Sequence, residues 1–137
     1  ETHPINEIIA RVGQKFNLNT QEELWLNNNV ANMNQQPPLD LCETLYSFTH
    51  LTVLVAPIEY VLGMKMMSAR EQDLKDIGMI IKFKNFRSPF NTFDSLKKMN
   101  FSTIDFSILL EGFSYAYGND WLEEFFKENQ EQLQKYY

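Results

Sequence analysis

Residues 57–81 read PIEYVLGMKMMSAREQDLKDIGMII. Pro57 fixes φ and lacks an N–H, which suits the first turn of a helix, and the spacing predicts that helix to about Met67. Ser68 followed three residues later by Glu71 has the pattern of a capping box, opening a second helix to about Phe83. At 100° per residue, Ile58, Val61, Leu62 and Ala69 share one face of the first helix, with Lys65 at its centre. Tyr60, Met64 and Met67 take the other side, so the helix is apolar nearly all round and belongs in an interior. A buried ammonium without a partner loses its proton or costs on the order of several kcal/mol. The second helix offers Asp73 and Asp76, three residues apart on one side. They border the apolar stripe of Leu74, Ile77 and Ile81, and Arg70 lies at its other edge. The expectation is a partly buried cluster of Lys65, Arg70, Asp73 and Asp76. The competing reading lets Lys65 carry its ammonium to water along its methylene stem and leaves REQDLKD as a solvated face. The methionines around Lys65 are core filler.

Upstream, Ile5, Ile8, Ile9, Val12 and Phe16 recur at helical spacing and predict a helix over about 5–16. Thr20 and Glu23 form another capping box before Leu24, Asn27, Asn28 and Val30. NQQPPLD then interrupts regular structure, because paired prolines suit neither helix nor sheet. LYSFTHLTVLVAP is the β region: Leu51–Val55 is short, β-branched and apolar. Leu45–Phe48 pairs with it as a hairpin across Thr49 and His50, the preferred reading, or Leu45–Val55 forms one bent strand. Downstream, KFKNFRSPFN reads as a basic loop, followed by a short helix near Phe93–Met99 and a longer one over about Thr103–Tyr117. Gly118 suits the C′ position of the latter. Asn119 or Asp120 caps a last helix, WLEEFFKENQEQLQKYY.

A chain of 137 residues with 44 % hydrophobic and 14 % aromatic content supports one folded domain, 1–137, and argues against disorder. The fold class is α+β, predominantly α-helical with one short β-hairpin or strand. A net charge of −6 is unfavourable for an extended phosphate-binding surface and makes nucleic acid a poor partner. No run reaches the length of a membrane helix. A lone cysteine, Cys42, makes no internal disulfide, which fits a reducing, cytoplasmic home. His3 and His50 are too few and too scattered for zinc or a Cys–His pair. Phe83 and Phe86 alternate with basic residues in KFKNFR. They could stack on single-stranded nucleic acid, or fold inward beneath a basic loop. Trp121, Leu122, Phe125 and Phe126 make an aromatic stripe opposite an acidic face. It either packs on the core or docks on a protein partner or a second copy of the chain.

EYVLGMKMMSAREQDLKDIGMII resembles a segment of the nucleotidyltransferase-like superfamily, including its antitoxin-type minimal members. Those run as an apolar helix with A-x-K-L, a small residue, then A-R-x-x-D-L-x-D-I. Lys65, Ala69, Arg70, Asp73, Leu74, Asp76 and Ile77 match. Trp25, Leu26 and Asn27 are similar to a W-L-N helix of the same proteins, and LTVLVAP stands where they place a strand. The resemblance covers residues 5–83, the downstream half of such a domain, and leaves 84–137 as a helical C-terminal region. It implies transfer of a nucleotidyl group from a nucleoside triphosphate with Mg²⁺, possible membership of a toxin–antitoxin pair, and a nucleotide-site role for Lys65, Arg70, Asp73 and Asp76. The family's G-S and D-x-D elements, which hold phosphate and metal, are absent from this sequence. Either they lie outside this chain or the protein is a degenerate relative. In both cases this chain alone is expected to be catalytically inactive, with no cofactor of its own. The alternative function is a non-enzymatic helical interaction module that uses the C-terminal aromatic stripe.

Overall fold

The structure, a computed structural model, describes residues 4–19, 24, 26 and 37–137. The chain divides into two compact units, Glu1–Gln36 and Pro37–Tyr137, and the boundary falls within the Pro-containing stretch NQQPPLD. The first unit contributes α1 (Pro4–Lys15), matching the helix expected over 5–16. The helix expected from Thr20 onward, with the W-L-N match, lies outside the described residues.

The second unit opens with a 3₁₀ turn at Leu39–Leu41, then β1 (Glu43–Ser47) and β2 (Thr52–Val55), paired antiparallel. Phe48 N–H donates to Leu51 C=O at 2.7 Å, which closes the chain across Thr49 and His50 and makes this the hairpin rather than the bent strand. The register slips at Leu45, between the Thr44–Leu54 and Tyr46–Val53 pairs. Five helices of two turns or more follow: α2 (Ile58–Ser68), α3 (Glu71–Phe83), α4 (Pro89–Lys98), α5 (Phe106–Tyr117) and α6 (Asn119–Glu128). A last turn forms α7 (Gln130–Leu133). The protein is thus predominantly α-helical, with one two-stranded antiparallel sheet among the described residues.

Several local readings change: α5 starts at Phe106 rather than about Thr103, and α6 follows Gly118 as N-cap rather than Asn119 or Asp120. The capping box falls two residues later than expected. Ser68 ends α2, Ala69 turns the chain in the left-handed region at φ 50°, and Arg70 is the N-cap of α3. Asp73, not Glu71, closes the box by accepting from the Arg70 backbone N–H at 3.3 Å. Helix α4 starts at Pro89 rather than Phe93, because Ser88 caps it through Oγ to the Asn91 N–H and proline fits the first helical position. The last helix breaks at Asn129, whose side-chain amide donates to the Phe125 carbonyl at 2.8 Å, the kind of local side-chain bond that competes with the helical ladder.

The most extensive helix packing joins α3 to α5, so the region after residue 83 shares one core with the helices before it. Glycines permit the approach. A Cβ on Gly112 would stand 2.1 Å from Ile77 Cγ2, and one on Gly78 2.6 Å from Tyr115 Cβ. Leu62, Ile77, Ile81, Leu109, Phe113 and Phe106 are fully or almost fully buried around this contact. Aromatic rings extend the core: Phe113, Trp121 and Phe125 stack in sequence at 5.3 Å spacings, and Phe125 meets Phe90 at 5.2 Å. By contrast, every residue of β1 is exposed and only Val53 of β2 is half-buried.

Candidate functional site

The two-residue link Ala69–Arg70 folds α3 back against α2. Lys65, one turn before the end of α2, is thereby brought to the first two turns of α3. Its Nζ donates to Asp73 Oδ1 and to Asp76 Oδ2, each at 2.7 Å. The Arg70 Nε donates to Asp73 Oδ2 at 2.7 Å, and its Nη2 reaches Oδ1 at 3.4 Å. Lys65, Arg70, Asp73 and Asp76 therefore form one cluster of two cations and two anions. Their depths differ: the Asp73 side chain is 1 % exposed, Asp76 24 %, Lys65 29 % and Arg70 71 %. Lys65 does not occupy the centre of the buried face, as its helical position suggested. The buried residues of α2 are Tyr60, Leu62, Gly63 and Met66, and Lys65 lies beside them with its side chain partly exposed.

The titration behaviour follows from these contacts. The Arg70 hydrogen bond holds the Asp73 carboxyl far below the ordinary carboxylate range. Burial opposes this, and Lys65 and Ser68 add to it. Asp73 also sits in the first turn of α3, where the helix dipole favours an anion. Asp76 is lowered by Lys65 and then by Gln72, whose amide donates to its Oδ1 at 3.1 Å. Burial pulls the Lys65 ammonium toward deprotonation, but its two carboxylate partners outweigh that and raise its pKa. Gln72 was missed in the sequence; the only available signal was its i,i+4 spacing to Asp76.

Each carboxylate oxygen of the pair already accepts from an N–H donor, and no group of three metal-ligating side chains occurs among the described residues. Mg²⁺ takes oxygen ligands in near-octahedral geometry, so this donor set does not fit a magnesium site. Lys65 has a further N–H, and among the described residues nothing besides the two aspartates accepts from it.

The aromatic stripe of α6 is divided. Trp121, Leu122 and Phe125 pack half-buried against the core, whereas Phe126 is exposed and, with Leu122, Leu110, Tyr115 and Tyr137, lines a groove between α5 and α6. In the basic loop, Phe86 packs on the core while Phe83 is exposed. Lys84 pairs with Glu59 at 2.9 Å, and the Arg87 guanidinium lies 4.9 Å from the Tyr117 ring. No described helix is long and apolar enough to cross a membrane. No protein-family model, no curated protein and no solved structure matches this chain.

Proposed function

We propose that this chain is the downstream part of a nucleotidyltransferase-like protein, with a cytoplasmic setting and possible toxin–antitoxin context. The observation that carries the reading is the Lys65–Asp73–Asp76 arrangement. A cation is fixed by two acids on the helix pair that follows a strand, with Arg70 bracing the deeper acid. Those acids orient Lys65 Nζ, and its further N–H is suited to a phosphate oxygen of a nucleoside triphosphate. Asp73 and Asp76 act as positioning groups and not as metal ligands.

The exposed hairpin supports the same reading. Leu45, Tyr46, Leu54 and Val55 are between 37 % and 58 % exposed, and a lone two-stranded ribbon is marginally stable in water. A sheet of this kind is suited to pairing with further strands, and strands outside these 137 residues would bring the G-S and D-x-D elements that the sequence lacks.

The test is to incubate the protein of the full natural reading frame with labelled nucleoside triphosphates, Mg²⁺, tRNA and candidate protein acceptors. Label transfer that disappears in Lys65→Met is the expected result, with none from the 137-residue chain alone. Absence of both nucleotide binding and transfer by the full-length protein would overturn the reading.

A further inference from the structure

The charge of this chain is unevenly spread. Residues 101–137 hold seven acidic side chains against two lysines, which accounts for −5 of the net −6, whereas residues 75–98 hold six basic side chains against two acidic ones. Each charged stretch also carries exposed apolar side chains. On the acidic side, a groove of about 690 Å³ runs between α5 and α6, floored by Leu110 and Leu122 and walled by Tyr115 and Phe126, with Glu111 in its lining and no lysine or arginine. Glu123 follows the groove-lining Asn119 by one turn and adds a second exposed carboxylate at the edge. On the basic side, Met79 and Phe83 of α3 are 63 % and 79 % exposed. At 100° per residue they share their outward face with Lys75 and Lys82, all four within about 100° of arc. The two patches adjoin. A Cβ on Gly78 would stand 2.6 Å from Tyr115 Cβ, so Tyr115, a wall of the groove, abuts α3 one turn before Lys82. Lys82 and Glu111 are exposed, and neither enters an ion pair among the described residues.

We infer that a second copy of this chain covers this surface. A two-fold contact needs a patch complementary to itself. A surface that is basic with protruding apolar side chains at one end, and acidic and grooved at the other, meets that condition when turned about an axis through its middle. Met79 and Phe83 of each copy enter the α5–α6 groove of the other, against Leu122 and Phe126, and Lys82 pairs with Glu111 across the interface. Both contacts form twice. Opposite ends attract, whereas a contact between like ends would set lysine against lysine or glutamate against glutamate, and this fixes the register. The contact involves neither Lys65 nor a nucleotide and is independent of the transferase chemistry proposed above.

The test is sedimentation velocity on the full-length natural protein over a range of concentrations. The wild type should pass from monomer to dimer as concentration rises to about 0.1 mM. Phe83→Ala, Lys82→Glu and Glu111→Lys should each weaken the dimer by on the order of tenfold. Combining Lys82→Glu with Glu111→Lys in one chain should restore it. All three positions are exposed, so the variants should keep the wild-type fold, checked by circular dichroism. Phe48→Ser on the hairpin is the control and should leave the dimer unchanged. A monomer at every concentration overturns the inference, as does a dimer that survives both Phe83→Ala and Glu111→Lys or that Phe48→Ser dissolves. Single losses that the paired charge swap does not recover overturn it too, because the two ends then do not meet. Masses that grow beyond two copies would mean a head-to-tail contact in place of the closed pair, and would equally overturn it.

Discussion

Lys65 divides its ammonium between two carboxylates of different depth, and the consequences of removing each partner differ accordingly. In Lys65→Met, Asp73 stays buried with Arg70 as its remaining cation, while Asp76 is free to hydrate. The loss should be on the order of 2 kcal/mol, below the ~3–5 kcal/mol of a fully buried broken pair, read as a lower urea midpoint. Acid sensitivity should trace to Asp73. Its folded pKa is depressed, so its stabilising contribution is complete above the unfolded value of about 4 and is lost as pH falls below it. The Asp73→Asn variant should therefore show a shallower fall in stability below about pH 4 than the wild type. An identical slope in the two proteins would assign the acid response elsewhere. For Lys65 the sign is opposite: its contribution is lost only as pH rises past the ordinary lysine range, near 10.

Helices α2 and α3 owe their mutual placement to the turn at Ala69, and α3 and α5 owe theirs to missing side chains. Ala69 has φ 50°, a region where a Cβ is penalised by roughly 1–2 kcal/mol. Ala69→Gly should relieve that strain and hold or slightly raise the melting temperature while leaving the Lys65 cluster intact. Gly112→Ala should do the reverse. Its Cβ would meet Ile77 Cγ2 at 2.1 Å, and overpacking of that kind costs ~1–3 kcal/mol. The double variant with Ile77→Ala should regain part of that cost, which a double-mutant cycle measures directly. Additive losses would mean that the two residues do not press on each other.

Across the whole unit 37–137, stability should be graded. The α3–α5 core is deeply buried, whereas the hairpin is exposed along almost all of both strands. Amide hydrogens of residues 43–55 should exchange far faster than those of Ile77, Ile81 and Leu109, since local opening of a segment with few buried contacts costs little. Equal protection of the two regions would mean that something covers the hairpin in solution. The same contrast bears on partners. Trp121, Leu122 and Phe125 pack against the core, so a surface contact of this unit has Phe126, the hairpin, and Met79 and Phe83 of α3 to use.

By itself the sequence determined the helices α1, α2, α3 and α5; for the hairpin and for the pairing of Lys65 with Asp73 and Asp76 it supplied two readings, between which the structure decided. Each rests on spacing within one or two adjacent elements, where the helical period, two turn residues and the electrostatic need of a half-buried cation suffice. Tertiary structure decided what spacing could not reach. It set the depth of each charge, the close approach of α3 and α5 at Gly78 and Gly112, and the half-burial of Trp121 and Phe125 against the core while Phe83 stays exposed. A cap moved as well, from Ser68 to Arg70, and α4 began at Pro89 rather than near Phe93, because a cap is fixed by where neighbouring helices need the chain to turn. Burial and close approach depend on residues distant in sequence, and an apolar side chain on a helix reads the same whether a neighbour covers it or water does.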